Sequence, residues 1–248
     1  MRRTMLHIAR LPIIRKRLAP SLTDIINAAL DSQLHCTPLE IVCKLFSLSA
    51  DDERLSQIVN EHRALSDELC TRYASKRTCY PLNFAVEEGS GLLLYAVMRL
   101  KKPLVTQETG VANGESTFFM LNAIKKNQRG RLYSTEVSND VGTLLNENEK
   151  PDWALKKLDP SNLRGSFLRT LEKIGSIDLF LHDSDHSYLW QIFELQSMQS
   201  KMLSNSIIIA DDVDSSFAFI DFGRKLGTKP TFLLDKRKVL GVLVKLQY

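Results

Sequence analysis

No apolar run in this 248-residue chain approaches the roughly 20 residues that a membrane-spanning helix needs. The longest, around residues 91–98 and 207–210, are far shorter, which excludes a helical membrane span. The four cysteines, Cys36, Cys43, Cys70 and Cys79, form no Cys-x-x-Cys pair. A zinc site or a thioredoxin-like centre is therefore not expected, and free thiols suit a reducing, cytoplasmic compartment. No Gly-Lys-Ser/Thr ending follows a glycine loop, so a phosphate loop for nucleoside triphosphates is absent. There is no uninterrupted apolar core with a small-residue cleavage site near the start, because Pro12 breaks the first Leu/Ile stretch, and a secretory signal is not expected. Repeats and low-complexity segments are missing, and beyond the first 20 residues no basic stripe with interleaved aromatics suggests nucleic acid.

What is present is enough apolar material for a full core. With 44% hydrophobic and 25% charged residues, the chain most simply makes one α/β domain with an extension. The formal charge of +4 is unevenly placed: Arg2, Arg3, Arg10, Arg15, Lys16 and Arg17 stand in residues 1–20 without any acid, so the rest of the chain is slightly acidic. Residues 1–20 read as a basic N-terminal arm, with a transit peptide or a weak membrane-surface contact as alternatives. A homo-oligomer is compatible with the composition.

Residues 21–80 read as a helical cap. Apolar positions Leu22, Ile25, Ile26, Ala29 and Leu30 follow helical spacing, as do Leu39, Val42, Cys43 and Phe46. Thr37-Pro38 with Glu40 has the form of a capping box with proline at the first helical position, and a long charged helix is expected over 51–75. Lys76 to Phe84 is a connector, since Pro81 biases Tyr80 away from helix; Tyr80 is a packed loop aromatic or a substrate contact.

From residue 81 onward a domain of alternating elements is expected. After a helix over 86–100, strands are expected at 104–110, 131–137, 154–158, 177–183 and 206–211. Helices fall between them near 116–127, 141–148, 163–173 and 187–203, and a terminal hairpin at 231–234 and 239–246 closes the domain. Such alternation implies right-handed crossovers and a mostly parallel, seven-stranded sheet with helices on both faces. Ligands of such sheets sit beyond the carboxyl ends of the strands, so those ends hold the candidate residues.

The first of these ends is Glu108-Thr-Gly110-Val-Ala-Asn113-Gly114-Glu-Ser116-Thr, a strand-to-helix turn with two glycines that let a ligand approach backbone amides. Glu136 ends the next strand, where an acid can accept both hydroxyls of a ribose. Farther on stand His182-Asp183-Ser-Asp185-His186 and Asp211-Asp212-Val-Asp214. Carboxylates gathered in one cleft repel one another unless a cation joins them, and an oxygen-rich set favours Mg²⁺ ahead of Mn²⁺ or Ca²⁺. Asp183, Asp211 and Asp212 are the expected ligands. Asp185 and Asp214 are weaker candidates, and Asp211 or Asp214 could instead cap a helix starting near Ser215. His182 should point away from Asp183.

The first motif resembles that of class I S-adenosylmethionine-dependent methyltransferases, in the form found in methyltransferase family 24 and the metal-dependent small-molecule O-methyltransferases. The resemblance covers roughly residues 80–248 and implies a Rossmann-like fold with an antiparallel last strand. It also implies cofactor contacts at Glu108, Gly110, Asn113, Gly114, Ser116 and Glu136, with Ser161 near the adenine. Asp183 with Asp211-Asp212 matches that family's divalent-ion site. His186 stands where catechol-type members carry a lysine base, as in the sugar-methylating branch. The implied activity is Mg²⁺-dependent O-methylation of a hydroxylated small molecule, a sugar or natural product, with Asp183 and His186 catalytic. Alternative readings are an NAD(P)-dependent oxidoreductase, which the missing third glycine disfavours, and an inactive cofactor-binding protein. Trp153 and Trp190 read as packing residues, with Tyr188 and Trp190 near enough to form a pocket rim.

Overall fold

The structure, a computed structural model, describes Leu34, His35 and residues 37–245. The basic arm and the helix expected around residues 22–30 lie outside the described residues. In chain order the elements are β1 (Leu34–His35), α1 (Pro38–Phe46), α2 (Glu53–Ser75), α3 (Glu88–Lys101), β2 (Val105–Thr109), α4 (Glu115–Asn127), β3 (Arg131–Glu136) and β4 (Trp153–Lys157). They continue with α5 (Leu163–Glu172), β5 (Ile177–His182), α6 (Tyr188–Gln199), β6 (Met202–Ala210), α7 (Ala218–Lys225), β7 (Thr231–Asp235) and β8 (Lys238–Val244).

All strands join one sheet in the order β1-β7-β8-β6-β5-β2-β3-β4. Neighbours are parallel except where β8 runs antiparallel between β6 and β7. The chain moves outward from β2 to β3 and β4, then returns to the other side of β2 with β5. The strand order therefore reverses at β2, and the crevice beyond β2 and β5 is where such sheets bind ligands.

Side-chain alternation splits the core into two layers. Leu179, Leu181, Ile207 and Ile209 face a cluster with α1 to α4, while Phe180, Ile208 and Ala210 face one with α5 to α7. The cap helices belong to the first layer, burying Ile41, Val42, Leu55, Ile58 and Leu69 beside α3. Arg72 pins α2 to the loop before β4: it forms a two-pronged pair with Glu149 at 2.7 Å and donates to the Leu144 carbonyl at 2.8 Å. No helix among the described residues is long and apolar enough to cross a membrane.

The structure departs from the local expectations at five points. The two-residue strand β1, parallel to β7, was not anticipated, because two residues carry no readable period. Helix α1 does begin at Pro38, but the Thr37 side chain makes no capping bond; Glu40 lies 3.1 Å from His35 Nδ1 instead. No helix forms over 141–148. The chain turns at Gly142 (φ 66), and Asn146, whose side chain starts helices better than it continues them, opens a 3-10 segment at Glu147–Asp152. Finally, α6 stops at Gln199 and Met202 opens β6, while neither Asp211 nor Asp214 caps α7, which starts at Ala218 after Phe217.

Candidate active site

A cavity of about 580 Å³ opens beyond the carboxyl ends of β2, β3 and β5, a size suited to a small organic ligand. One side of it is the turn from β2 into α4. Gly110 has φ +83, and a methyl group in its place would sit 1.8 Å from the Asp183 carbonyl oxygen, so only glycine lets β2 and β5 diverge here. Gly114 (φ +89) is the residue before α4 and lies against Gly142. Gly110, Asn113 and Ser116 line the cavity, as do Thr135 and Glu136.

The two carboxylates expected to hold a cofactor part company. Glu136 faces the cavity and gathers backbone amides: its Oε2 accepts from Val111 (3.0 Å) and Ala112 (3.5 Å), and its Oε1 from Val137 (2.7 Å) and Ser138 (3.1 Å). Glu108 is fully buried beneath the turn and does not line the cavity. It accepts from Ser116 Oγ (2.6 Å), Thr117 Oγ1 (2.9 Å) and Ser134 Oγ (2.6 Å), fastening α4 and β3 to β2. Burial pushes its carboxyl up to about 7, against those three hydroxyl donors. The expectation of direct cofactor contact is therefore corrected to a supporting role, because an acid pointing back into the sheet meets hydroxyls before it meets solvent.

Asn113 does line the cavity, and its side chain is engaged by the Cys79 and Tyr80 backbone, which it holds over the cavity. Ser161 is exposed, bonds Asp159 and lies outside the cavity. Tyr80 and Trp190 reach the cavity wall, whereas Tyr188 does not; its hydroxyl bonds Asp221 at 3.1 Å.

The opposite side holds the acids. Asp183, His186 and Asp211 each offer an atom within 4.8 Å of the others. Asp212 stands just outside this group, its Oδ2 3.8 Å from His186 Nε2, and Asp183 Oδ1 lies 3.8 Å from the same nitrogen. Asp185 and Asp214 are not in the group. Asp211 is buried and its Oδ1 has no hydrogen-bond partner. Burial first, and then the charge of Asp211, push Asp183 well up and Asp212 up to about 7. An orphaned carboxylate oxygen beside carboxylates that repel one another, with one imidazole, fits a hard divalent cation. Burial lowers His186 to about 4, with His182 adding to the effect, so its imidazole is neutral near pH 7.

Three participants escaped sequence reading. Lys238, opening β8, is buried at the cavity floor and donates to Asp211 Oδ2; in the sequence it was one of three basic residues at a hairpin. Glu194 of α6 is buried and accepts from Thr109 Oγ1 (2.8 Å), Ser184 Oγ (2.9 Å) and Trp190 Nε1 (2.8 Å), with His182 Nδ1 at 2.7 Å. It thereby fixes the loop that carries Asp183 and His186; His182 turns into this network, with its ring edge-on to that of His186 at 5.6 Å between centroids. Glu115 lines the cavity, accepts from Tyr73 of α2 at 3.0 Å, and is pushed by burial up to about 7.

Comparison with known proteins agrees with this geometry. Residues 107–213 match methyltransferase family 24, described as a methyltransferase domain. A search of curated proteins returns no match. Among solved structures, an O-methyltransferase from Bacillus cereus in complex with SAH is similar at a TM-score of 0.52 and 14% identity, over 84% of this chain and 98% of the other. The O-methyltransferase TomG from Streptomyces achromogenes, involved in tomaymycin synthesis and in complex with SAM, gives 0.53 and 17%, over 80% and 92%. The SAH-bound methyltransferase PaMTH1 of Podospora anserina gives 0.53 and 14%, over 80% and 98%. At such identities the likeness establishes the fold, which is that of class I methyltransferases.

Proposed function

We propose, from the match of residues 107–213 to a methyltransferase domain, that the chain carries a methyl group from S-adenosylmethionine to a hydroxyl of a small molecule, with Mg²⁺ or another divalent ion in the acidic cluster. The observation that carries this reading is the convergence of the Gly110 turn, Glu136, Asp183, His186 and Asp212 on one cavity, with the buried Asp211 grouped with Asp183 and His186 behind its wall. The SAH and SAM bound by the similarly folded Bacillus and Streptomyces O-methyltransferases support it.

Bound S-adenosylmethionine would supply the methyl carbon, and a divalent ion would acidify and orient the acceptor hydroxyl. The chain's own residues do the rest. Glu136 would hold the ribose, sharing its oxygens with the amides it already gathers, and the bare backbone at Gly110 admits the cofactor's amino-acid end. Asp183 and Asp211, with Asp212 beside them, would hold the ion. His186 accepts the acceptor's proton at Nε2, and a proton placed there faces Asp183 and Asp212, both 3.8 Å away. Tyr73, Tyr80, Phe84 and Trp190 give the cavity ring-shaped walls while Asn83 adds a polar group, which suits a hydroxylated sugar or natural product.

The test is transfer of radiolabelled methyl from S-adenosylmethionine to a panel of hydroxylated acceptors. Label in an ether product, abolished by EDTA and restored by Mg²⁺, is expected; transfer indifferent to EDTA contradicts the metal, and transfer only to nitrogen contradicts the acceptor class.

A further inference from the structure

Lys238 places an ammonium group inside the cluster proposed to bind a divalent ion. It opens β8, only 8% exposed, and donates to Asp211 Oδ2 while Asp211 Oδ1 stays without a partner. Asp183, Asp212 and Lys238 line the same cavity. The lysine is not a surface side chain that happened to fold inward. Its backbone is fixed on both sides, since Lys238 pairs with Asp235 across the hairpin and the Val239 carbonyl accepts the Val213 amide at 3.0 Å. The hairpin itself is anchored on the first turn of α3: Asp235 Oδ2 accepts the Ser90 amide (2.6 Å) and hydroxyl (2.9 Å), and Arg237 is 2.7 Å from Glu87.

Resting on the metal reading above, we propose that Lys238 is a resident counter-ion of the cluster that competes with the divalent ion. It holds Asp211 in place when no ion is bound and keeps ion affinity low. The physical basis is charge. One positive group stands among Asp183, Asp211 and Asp212, enough to hold the acids together but not to neutralise them, and like charges in a partly dry site repel strongly. An arriving ion meets that ammonium and must either displace it from Asp211 or share the carboxylate with it. In consequence the cluster folds without metal, and the ion can leave with little structural loss.

The experiment is titration of the full chain with Mn²⁺, followed by electron paramagnetic resonance, for wild type, Lys238→Gln, Lys238→Met and Lys238→Arg. Gln keeps a donor for Asp211 without the charge, and Met tests the same loss without a donor. Both uncharged variants are expected to bind Mn²⁺ at least tenfold more tightly than wild type, while Lys238→Arg binds as wild type does. Melting in EDTA adds a second reading: wild type should hold its midpoint, whereas Lys238→Gln should melt earlier and recover when Mn²⁺ is added. Equal or weaker Mn²⁺ binding by the uncharged variants overturns the lysine's role and leaves the metal site standing. Absence of Mn²⁺ binding in every form overturns both.

Discussion

Asn113 and Tyr80 are joined in both directions: Asn113 Oδ1 accepts the Tyr80 amide at 3.0 Å, and Asn113 Nδ2 donates to the Tyr80 carbonyl at 2.8 Å. The same oxygen takes the Cys79 amide at 3.1 Å. The glycine turn is thus tied to the segment that carries Tyr80 and Phe84 over the cavity. Replacing Asn113 by Ala should cost about 1–3 kcal/mol of stability and raise proteolytic cleavage between residues 77 and 86. Unchanged cleavage would mean that the segment is held by its other contacts.

Glu136 is the acid whose removal should strike cofactor binding. Its four amide partners lose their acceptor in Glu136→Ala, and a charge-assisted hydrogen bond is worth about 1.5–3 kcal/mol. Affinity for S-adenosylmethionine should fall by at least about tenfold, with the melting temperature lowered as well. Glu136→Gln separates the two effects, because it keeps an acceptor and loses the charge. Wild-type affinity in both variants would remove Glu136 from the cofactor site.

His186 stands between two roles that kinetics can tell apart. As the proton acceptor, His186→Ala should lower turnover by about a hundredfold or more while S-adenosylmethionine and Mn²⁺ affinities stay within about twofold. A matching collapse of Mn²⁺ affinity would make it an ion ligand, as its place beside Asp183 and Asp211 also allows.

Glu108 gives the fold a pH dependence of a definite sign. Its carboxyl, at 4.5 when free, is raised by burial to about 7. The folded state therefore holds a proton that the unfolded state has lost, and its contribution to stability is full below 4.5 and disappears as pH rises through 7. Glu108→Gln, which stays neutral, should remove this decline, worth up to about 3 kcal/mol. Urea midpoints for both proteins between pH 5 and 8 check it, and parallel curves would contradict the assignment.

The sheet was legible in the chain because its strands are strongly periodic: Ile207, Ile208 and Ile209 alternate between two helical layers as their pattern requires. The acidic loops were legible because their residues lie at strand ends, and topology alone brings those ends together. Side-chain direction was not. Glu108 and Glu136 occupy the same kind of position in sequence, yet one is spent on three hydroxyls and the other on the cavity rim. Lys238 and Glu194 were illegible for a related reason, since each acts across a distance in sequence, 27 residues to Asp211 and 85 to Thr109, that no local pattern encodes.

The central claim is that the cavity beside Gly110 and Glu136 holds a sulfonium methyl donor, and calorimetric titration tests it most directly. S-adenosylmethionine and S-adenosylhomocysteine should each bind the wild-type chain at one site in the presence of Mg²⁺, with NAD(P) giving no heat. Binding of NAD(P) in preference, or silence toward both adenosyl ligands, would contradict it.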